Sequence, residues 1–158
     1  MKNTGPATAS SSRMVNYRCR HAISMKYRTL DHTADVMVEA FGDDLEECFA
    51  NAAFALTDQI LDASTVSPRE ERVIEVEGHD HESMLYNFLS ELLFVFDVTG
   101  MVFSRFEVRF YDLKVVCHAW GESFDPQRHD PKKEIKAITY HMLLVDPSVP
   151  LVRVVFDI

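Results

Sequence analysis

The length and composition of the chain indicate one folded domain of moderate size. Its 158 residues suffice for a single hydrophobic core and are too few for two average domains. A hydrophobic content of 47% with 11% aromatic residues excludes a largely disordered chain. No apolar run approaches the ~20 residues that a membrane-spanning helix needs, so no membrane partner is expected. Three dispersed cysteines without a C-x-x-C pair indicate neither a zinc ribbon nor a disulfide framework.

The charge is distributed unevenly along the chain. The net charge is −9, yet residues 1–28 hold six of the 16 basic residues and none of the 25 acidic ones, so the rest of the chain is strongly acidic. An acidic body repels phosphate backbones, because nucleic-acid affinity comes mainly from Lys and Arg. We therefore expect any role in RNA metabolism to be exercised through a protein partner, with tRNA contacted only indirectly.

Residues 1–26 form a basic, acid-free segment that is rich in Ser, Thr and Ala and has no hydrophobic period. This composition predicts a disordered tail, which leaves residues 27–158 as the folded domain. An Arg-rich, Ser-rich and acid-poor segment is also typical of an organellar transit peptide. Met14 or Met25 could equally be an internal start. The compartment therefore stays open between the cytoplasm, the nucleus and an organelle.

The hydrophobic pattern of the domain predicts two helices and about six strands. Helical spacing after Asp44 and after Asp80 indicates two capped amphipathic helices, the second ending at Gly100. The alternating segments that predict strands are 36–41, 72–77, 105–110, 113–120, 134–145 and 151–158, with a tight hairpin at Tyr111 and Asp112. The predicted fold class is α+β, a single domain with two amphipathic helices packed on a mainly antiparallel sheet.

Polar side chains are concentrated directly before the first of these strands. Asp31, His32, Thr33 and Asp35 occupy four of five consecutive positions. Asp and Thr often hydrogen-bond their own backbone at strand entrances, so a simple turn is the first interpretation. A ligand site is the second, because functional side chains tend to lie on loops that a rigid element holds in place.

The last strand places two anions side by side. Alternation puts Asp157 on the face opposite Phe156 and Ile158, and the terminal carboxylate of Ile158 follows directly. The two carboxylates repel each other unless the strand end is solvated or a cation neutralises them. If Asp35 comes close, three oxygen-bearing groups converge. Such a ligand set is preferred by Ca²⁺, Mg²⁺ or Mn²⁺ rather than by zinc.

Motifs for autonomous nucleotide or hydrolase chemistry are missing from the sequence. There is no G-x-G-x-x-G, no P-loop and no G-x-S-x-G elbow, so we expect this chain to bind no nucleotide by itself. His79 and His81 flank the helix cap Asp80 and are interpreted as neighbours of that cap rather than as a metal pair. Lys136 lies between apolar positions, where it could extend to solvent or hold a carboxylate near a site.

Four segments, in order along the chain, resemble the archease family. They are D-H-T-A-D-V at 31–36 with the following helix start, G-E-S-F-D-P-x-R-H at 121–129, K-A-I-T-Y-H at 136–141 and F-D-I at 156–158. The resemblance implies a non-catalytic accessory factor of RtcB-type tRNA ligases, which promotes guanylylation and multiple turnover of the ligase during tRNA splicing.

The same resemblance implies the residues of a metal site. The implied metal ligands are Asp35, Asp157 and Ile158, the last through a backbone or terminal carboxylate oxygen. Asp31, His32 and Lys136 match motif positions and are candidates for supporting the site or contacting the partner.

Two other functions stay open. A free-standing divalent-metal phosphohydrolase would use metal-bound water and would need basic residues for the phosphate, which are scarce outside the tail. A general chaperone or assembly module would make no specific demand on Asp35 or Asp157. The metal-binding ligase accessory factor is the primary hypothesis.

Overall fold

The computed structural model describes residues 25–30 and 34–158, so most of the predicted tail and the polar residues 31–33 lie outside the described residues. Within that part of the chain the elements are β1 (Tyr27–Leu30), β2 (Asp35–Phe41), α1 (Leu45–Ile60), a 3-10 turn (Ala63–Thr65), β3 (Glu70–Glu77), α2 (His81–Thr99), β4 (Met101–Tyr111), β5 (Lys114–Ser123), α3 (Pro126–His129), β6 (Ala137–Asp146) and β7 (Leu151–Asp157). None of these helices is both long and apolar enough to cross a membrane.

The strands form two antiparallel sheets. One has the order β1-β2-β7-β6 and the other the order β3-β5-β4. The predicted α+β class, with two amphipathic helices on antiparallel sheet, is confirmed. The single sheet of about six strands is corrected to seven strands in two sheets, with a third, short helix, among the residues described. Alternation identifies strands without showing which strands pair, and β1 is only four residues long, too short to display a period.

The two long helices begin where the sequence predicts, and α2 also ends at the predicted residue. Asp44 accepts a hydrogen bond from the Glu47 N–H, and Asp80 accepts one from the Ser83 N–H. Gly100 ends α2 with a φ of 77°, in the left-handed region that glycine enters without steric cost. The apolar stripes of both helices pack against both sheets, α1 on β4 and β2 and α2 on β3 and β6, and complete the core.

The pairing of β2 with β7 in the middle of the four-stranded sheet positions the candidate site. Val36 and Val38 on β2 and Val154 and Phe156 on β7 are buried in the core. A slip of one residue would turn all of these side chains to the opposite face, so the apolar pattern fixes the register. In that register Asp35 lies directly opposite Asp157.

Candidate metal-binding site

Two carboxylates face each other at one end of the β2–β7 pair. Asp35 begins β2, Asp157 ends β7, and the two are direct cross-strand partners on the sheet face away from Val36 and Phe156. Side chains that are direct partners have Cβ atoms about 5 Å apart. Asp35 is half-buried and Asp157 is exposed, so the pair lies at the boundary between the protein and solvent.

The backbone around Asp157 is held from both sides. Beyond its pairing with β2, Asp157 pairs with Ala137 of β6, and its carbonyl oxygen accepts a hydrogen bond of 2.7 Å from the Lys136 N–H. Ile158 follows directly and its side chain is partly exposed. The end of β7 therefore has a defined position relative to the start of β2.

The structure accordingly brings together Asp35, Asp157, Ile158 and the backbone of Lys136. The Lys136 residue is exposed and lies just before β6 rather than within the long strand predicted from residue 134. Asp31 and His32 lie outside the described residues. Among residues 25–30 and 34–158, no three side chains of His, Cys, Asp or Glu form a cluster able to hold a metal ion. A site here would therefore need a main-chain or terminal carboxylate oxygen beside the two aspartates.

The chemistry of this donor set suits a hard divalent cation. Two carboxylates that are direct cross-strand neighbours repel each other, and a cation between them converts that repulsion into attraction. All the oxygens at hand are carboxylate or main-chain oxygens, which Ca²⁺, Mg²⁺ and Mn²⁺ accept as ligands. The residues present thus fit the kind of metal that the sequence suggests.

On the same sheet face, two arginines neutralise a third carboxylate, that of Glu39. Glu39 is buried and receives hydrogen bonds from Arg28 on β1, at 2.6 Å, and from Arg153 on β7, at 3.1 Å. Burial by itself raises the pKa of Glu39, but the hydrogen bonds from the two arginines outweigh it and hold the pKa below its usual value. At Asp35, by contrast, the residue directly opposite on β7 is a second acid, Asp157.

A buried Glu122–His129 pair is a polar feature that the sequence reasoning missed. His129 Nε2 lies 2.8 Å from Glu122 Oε2, and the Asp125 N–H donates to His129 Nδ1 at 2.8 Å. A nitrogen that accepts a hydrogen bond carries no proton, so Nε2 is the protonated nitrogen and donates to Glu122. The Ser67 N–H and Arg128 also donate to the Glu122 carboxylate, at 2.9 and 3.0 Å.

This pair has a structural role. Burial acts to raise the pKa of Glu122, but the hydrogen bonds from Ser67, Arg128 and His129 prevail and lower it to about 2. The carboxylate thereby fastens the α3 loop and the loop before β3 to the end of β5. A sequence signal existed, because Glu122 and His129 both belong to the segment G-E-S-F-D-P-x-R-H, but the polarity of that segment does not show which of its side chains are buried together.

Two other histidines lie on strands whose alternation predicts their orientation. Alternation over 113–120 predicts that His118 points outward, and it does. Alternation over 134–145 places His141 on the face of Ile135 and predicts a buried, hydrogen-bonded residue, and this is wrong because His141 is exposed. The reason is a register shift between Thr139 and Leu144, which interrupts the alternation.

The fold and the facing carboxylates define a small α+β protein with a candidate cation site at a sheet end. A family model confirms the resemblance, since that of the archease protein family matches residues 27–158. The protein archease of Pyrococcus abyssi is 46% identical over 127 residues, which cover 77% of this chain and 88% of that protein. That of Ictalurus punctatus is 39% identical over 143 residues, covering 87% of this chain and 88% of that protein. The chain belongs to the archease family.

Solved structures agree with the fold. The solution structure of Methanobacterium thermoautotrophicum protein 1598 matches with a TM-score of 0.74 and 37% identity, covering 84% of this chain and 99% of that one. The crystal structure of a Thermotoga maritima archease, titled a possible chaperone, matches with a TM-score of 0.56 and 22% identity, over 83% of this chain and 96% of that one. The second likeness concerns the fold alone.

Proposed function

We propose that this protein is a non-catalytic, metal-binding accessory factor that promotes guanylylation and multiple turnover of an RtcB-type RNA ligase in tRNA splicing. The observation that carries the proposal is the facing pair Asp35 and Asp157, with Ile158 next to it, in a member of the archease family. The proposed cofactor is Ca²⁺, Mg²⁺ or Mn²⁺, held by the two aspartates and by a backbone or terminal carboxylate oxygen of Ile158.

The chain's own residues supply position and charge. The β2–β7 pairing holds the two aspartates opposite each other, and the Lys136 N–H and Ala137 fix the backbone of Asp157 from the other side. When bound, a divalent ion supplies the positive charge that offsets the paired carboxylates and that phosphate groups require during guanylylation. Because the ligands lie at the end of a sheet, this edge can approach the active site of another protein.

The overall charge supports a protein partner rather than direct binding to tRNA. Residues 29–158 carry 10 basic and 25 acidic side chains, and a partner that binds RNA presents a basic surface. Opposite potentials accelerate association and orient the two partners. The contact is therefore proposed to depend on ionic strength, with the acidic archease fold docking on the basic ligase.

The test of this proposal is ligase turnover. A cognate RtcB-type ligase is assayed with GTP, a divalent metal and RNA halves in substrate excess, with and without this protein. We expect single turnover by the ligase alone and multiple turnover, with faster formation of the guanylylated ligase, when the protein is present. Unchanged turnover with a cognate ligase would refute the proposal.

The same assay separates the proposal from a general chaperone. A chaperone should still act when Asp35 or Asp157 is replaced by Ala in a folded variant, whereas the accessory factor should lose its stimulation. Assaying the protein alone on simple phosphate esters tests the phosphohydrolase. Metal-dependent hydrolysis that disappears in the Asp157→Ala variant would support that alternative instead.

A C-terminal extension should weaken the metal site. Adding a short Gly-Ser tag after Ile158 converts its carboxylate into an ordinary peptide carbonyl, which removes one negative charge from the donor set. We expect metal affinity to fall at least about tenfold, since loss of a charged ligand costs more than about 1.4 kcal/mol. Isothermal titration calorimetry with Ca²⁺ or Mn²⁺ measures the change.

The matched control is the same tag placed before Met1. It adds identical residues and leaves Ile158 as it is, so metal affinity should stay at the wild-type value. Equal affinity in the C-terminally tagged protein would show that the terminal carboxylate is not a ligand, while leaving Asp35 and Asp157 to be tested separately.

A further inference from the structure

The three-stranded sheet has one face that is not covered by the helices. Alternate residues of each strand point to the core, among them Ile74, Val108 and Cys117. The remaining residues point outward and form what we call the outer face: Glu71, Val73, Glu75 and Glu77 from β3, Trp120, His118, Val116 and Lys114 from β5, and Arg105, Glu107, Arg109 and Tyr111 from β4. Val73 is 51% exposed and Tyr111 is 62% exposed, so large apolar side chains lie open on this face.

The charges on the outer face are separated by strand. The register forms four rows across β3, β5 and β4, namely Glu71–Trp120–Arg105, Val73–His118–Glu107, Glu75–Val116–Arg109 and Glu77–Lys114–Tyr111. One edge strand, β3, contributes three glutamates and no cation. The other edge strand, β4, contributes two arginines and one glutamate. The middle strand carries the aromatic rings of Trp120 and His118, which stack on each other.

We propose that the outer face is a self-association surface that binds a second copy of this chain. A twofold axis parallel to β5, midway between two stacked sheets, places β3 of one copy over β4 of the other without changing the row. Glu71 then faces Arg105 of the partner subunit, and Glu75 faces Arg109 of the partner subunit. Each contact occurs twice, and each outer-face residue of β5, from Trp120 to Lys114, faces its own counterpart in the second copy, as an isologous interface requires. The charge of Lys114 is offset by Glu75 of its own copy, at 3.1 Å.

The charge pattern selects this axis over the other face-to-face arrangement. A twofold axis perpendicular to the strands would stack β3 on β3 of the second copy in reversed row order and bring Glu71 against Glu77 of the partner subunit. Like charges brought together across an interface are costly, whereas complementary ones set orientation. Within one copy, Arg105 already lies 4.3 Å from the centre of the Trp120 ring and pairs with Glu107 at 2.9 Å, so its position is restricted before association.

The size of the face indicates a weak, concentration-dependent dimer. Eight residues along a strand span about 27 Å, and three strands with their margins span about 14 Å, which gives a footprint of roughly 400 Å². Stable interfaces bury about 800 Å² per partner. Trp, Tyr and Arg nevertheless are the residue types that contribute most to binding free energy. Since the proposed charge pairs stay near solvent, dissociation should increase with salt.

The experiment uses two oppositely charged variants of the full chain. The first carries Arg105→Glu and Arg109→Glu, and the second carries Glu71→Arg and Glu75→Arg. Each variant repels itself across the proposed axis, so sedimentation velocity should show at least about tenfold weaker self-association than wild type for each. Mixed together, the two variants present opposite charges along both edges, and the mixture should form a heterodimer at least as tight as the wild-type dimer.

Three further measurements test whether the result is specific to the outer face. Arg72→Glu reverses a charge on the same strand β3 at a position outside the outer face, and it should leave association unchanged. Trp120 is the only tryptophan in the chain, so its fluorescence emission should shift to shorter wavelength as wild-type protein is concentrated. Circular dichroism confirms that each variant is folded. A wild-type protein that stays monomeric at millimolar concentration, or variants that fail to associate when mixed, would overturn the proposal.

Discussion

Replacing Asp157 with Asn is expected to remove the stabilisation of the fold by divalent metal while leaving the metal-free protein at least as stable as wild type. In the wild type, an ion at a hundred times its dissociation constant raises the free energy of unfolding by about 2.7 kcal/mol. The substitution deletes a ligand charge, so most of that increase should vanish. It also removes the repulsion between the directly paired Asp35 and Asp157, worth about 0.5 kcal/mol in the metal-free protein.

Thermal unfolding with and without Ca²⁺, Mg²⁺ or Mn²⁺ measures both effects. The matched control is Asp97→Asn, which removes the same charge from an exposed position on α2. That variant should keep the full metal-dependent rise in Tm. If Asp157→Asn keeps it too, Asp157 is not a ligand, and the metal part of the proposed function fails independently of any ligase assay.

Replacing Glu122 with Gln should produce the largest loss of stability among the single polar changes considered. The carboxylate accepts hydrogen bonds from Ser67, Arg128 and His129 in a buried position, and an amide would turn an NH₂ group toward one of these donors. Removing one partner of a buried charge network typically costs 3–5 kcal/mol, and we expect a loss of about that size at neutral pH. Urea unfolding at pH 7 gives the value.

The pH dependence of this difference has a defined sign. Because the pKa of Glu122 is lowered to about 2 in the folded protein, its ionised form contributes stability at every pH above its ordinary pKa of 4.5. That contribution, about 3 kcal/mol by the size of the pKa change, is lost as the pH falls from 4.5 through about 2. The wild type should therefore approach the Glu122→Gln variant in stability as the solution is acidified.

Glu91→Gln provides the control for this titration. Glu91 lies on α2, and its replacement should leave the free energy of unfolding within about 0.5 kcal/mol of wild type at each pH. A constant difference between wild type and Glu122→Gln from pH 7 down to pH 3 would contradict the assigned role of the carboxylate. Activity as a ligase accessory factor should fall only as far as the folded fraction falls.

Helices and strands whose bounds are set by residues close in sequence could be predicted from the sequence. The bounds of α1 and α2 follow from the caps Asp44 and Asp80, the terminating Gly100 and an apolar stripe, all of which are local signals. The β4–β5 hairpin likewise follows from alternation and a short turn, although the turn lies at residues 112–113, one position later than predicted. The ends of β6 were less accurate, since the predicted strand 134–145 begins three residues before the observed Ala137 and ends one residue before Asp146.

The tertiary structure decided which strands pair and which distant residues come into contact. The division into two sheets, the burial of Glu122 with His129, and the separation of charges across the outer face all depend on which strands lie next to each other, and pairing partners carry no local signature. Asp35 and Asp157 were named as candidates from residue type and from resemblance, yet they are 122 positions apart in the chain. The apolar faces of β2 and β7 must meet in one register to bury Val38 and Val154, and that register is what puts the two carboxylates opposite each other.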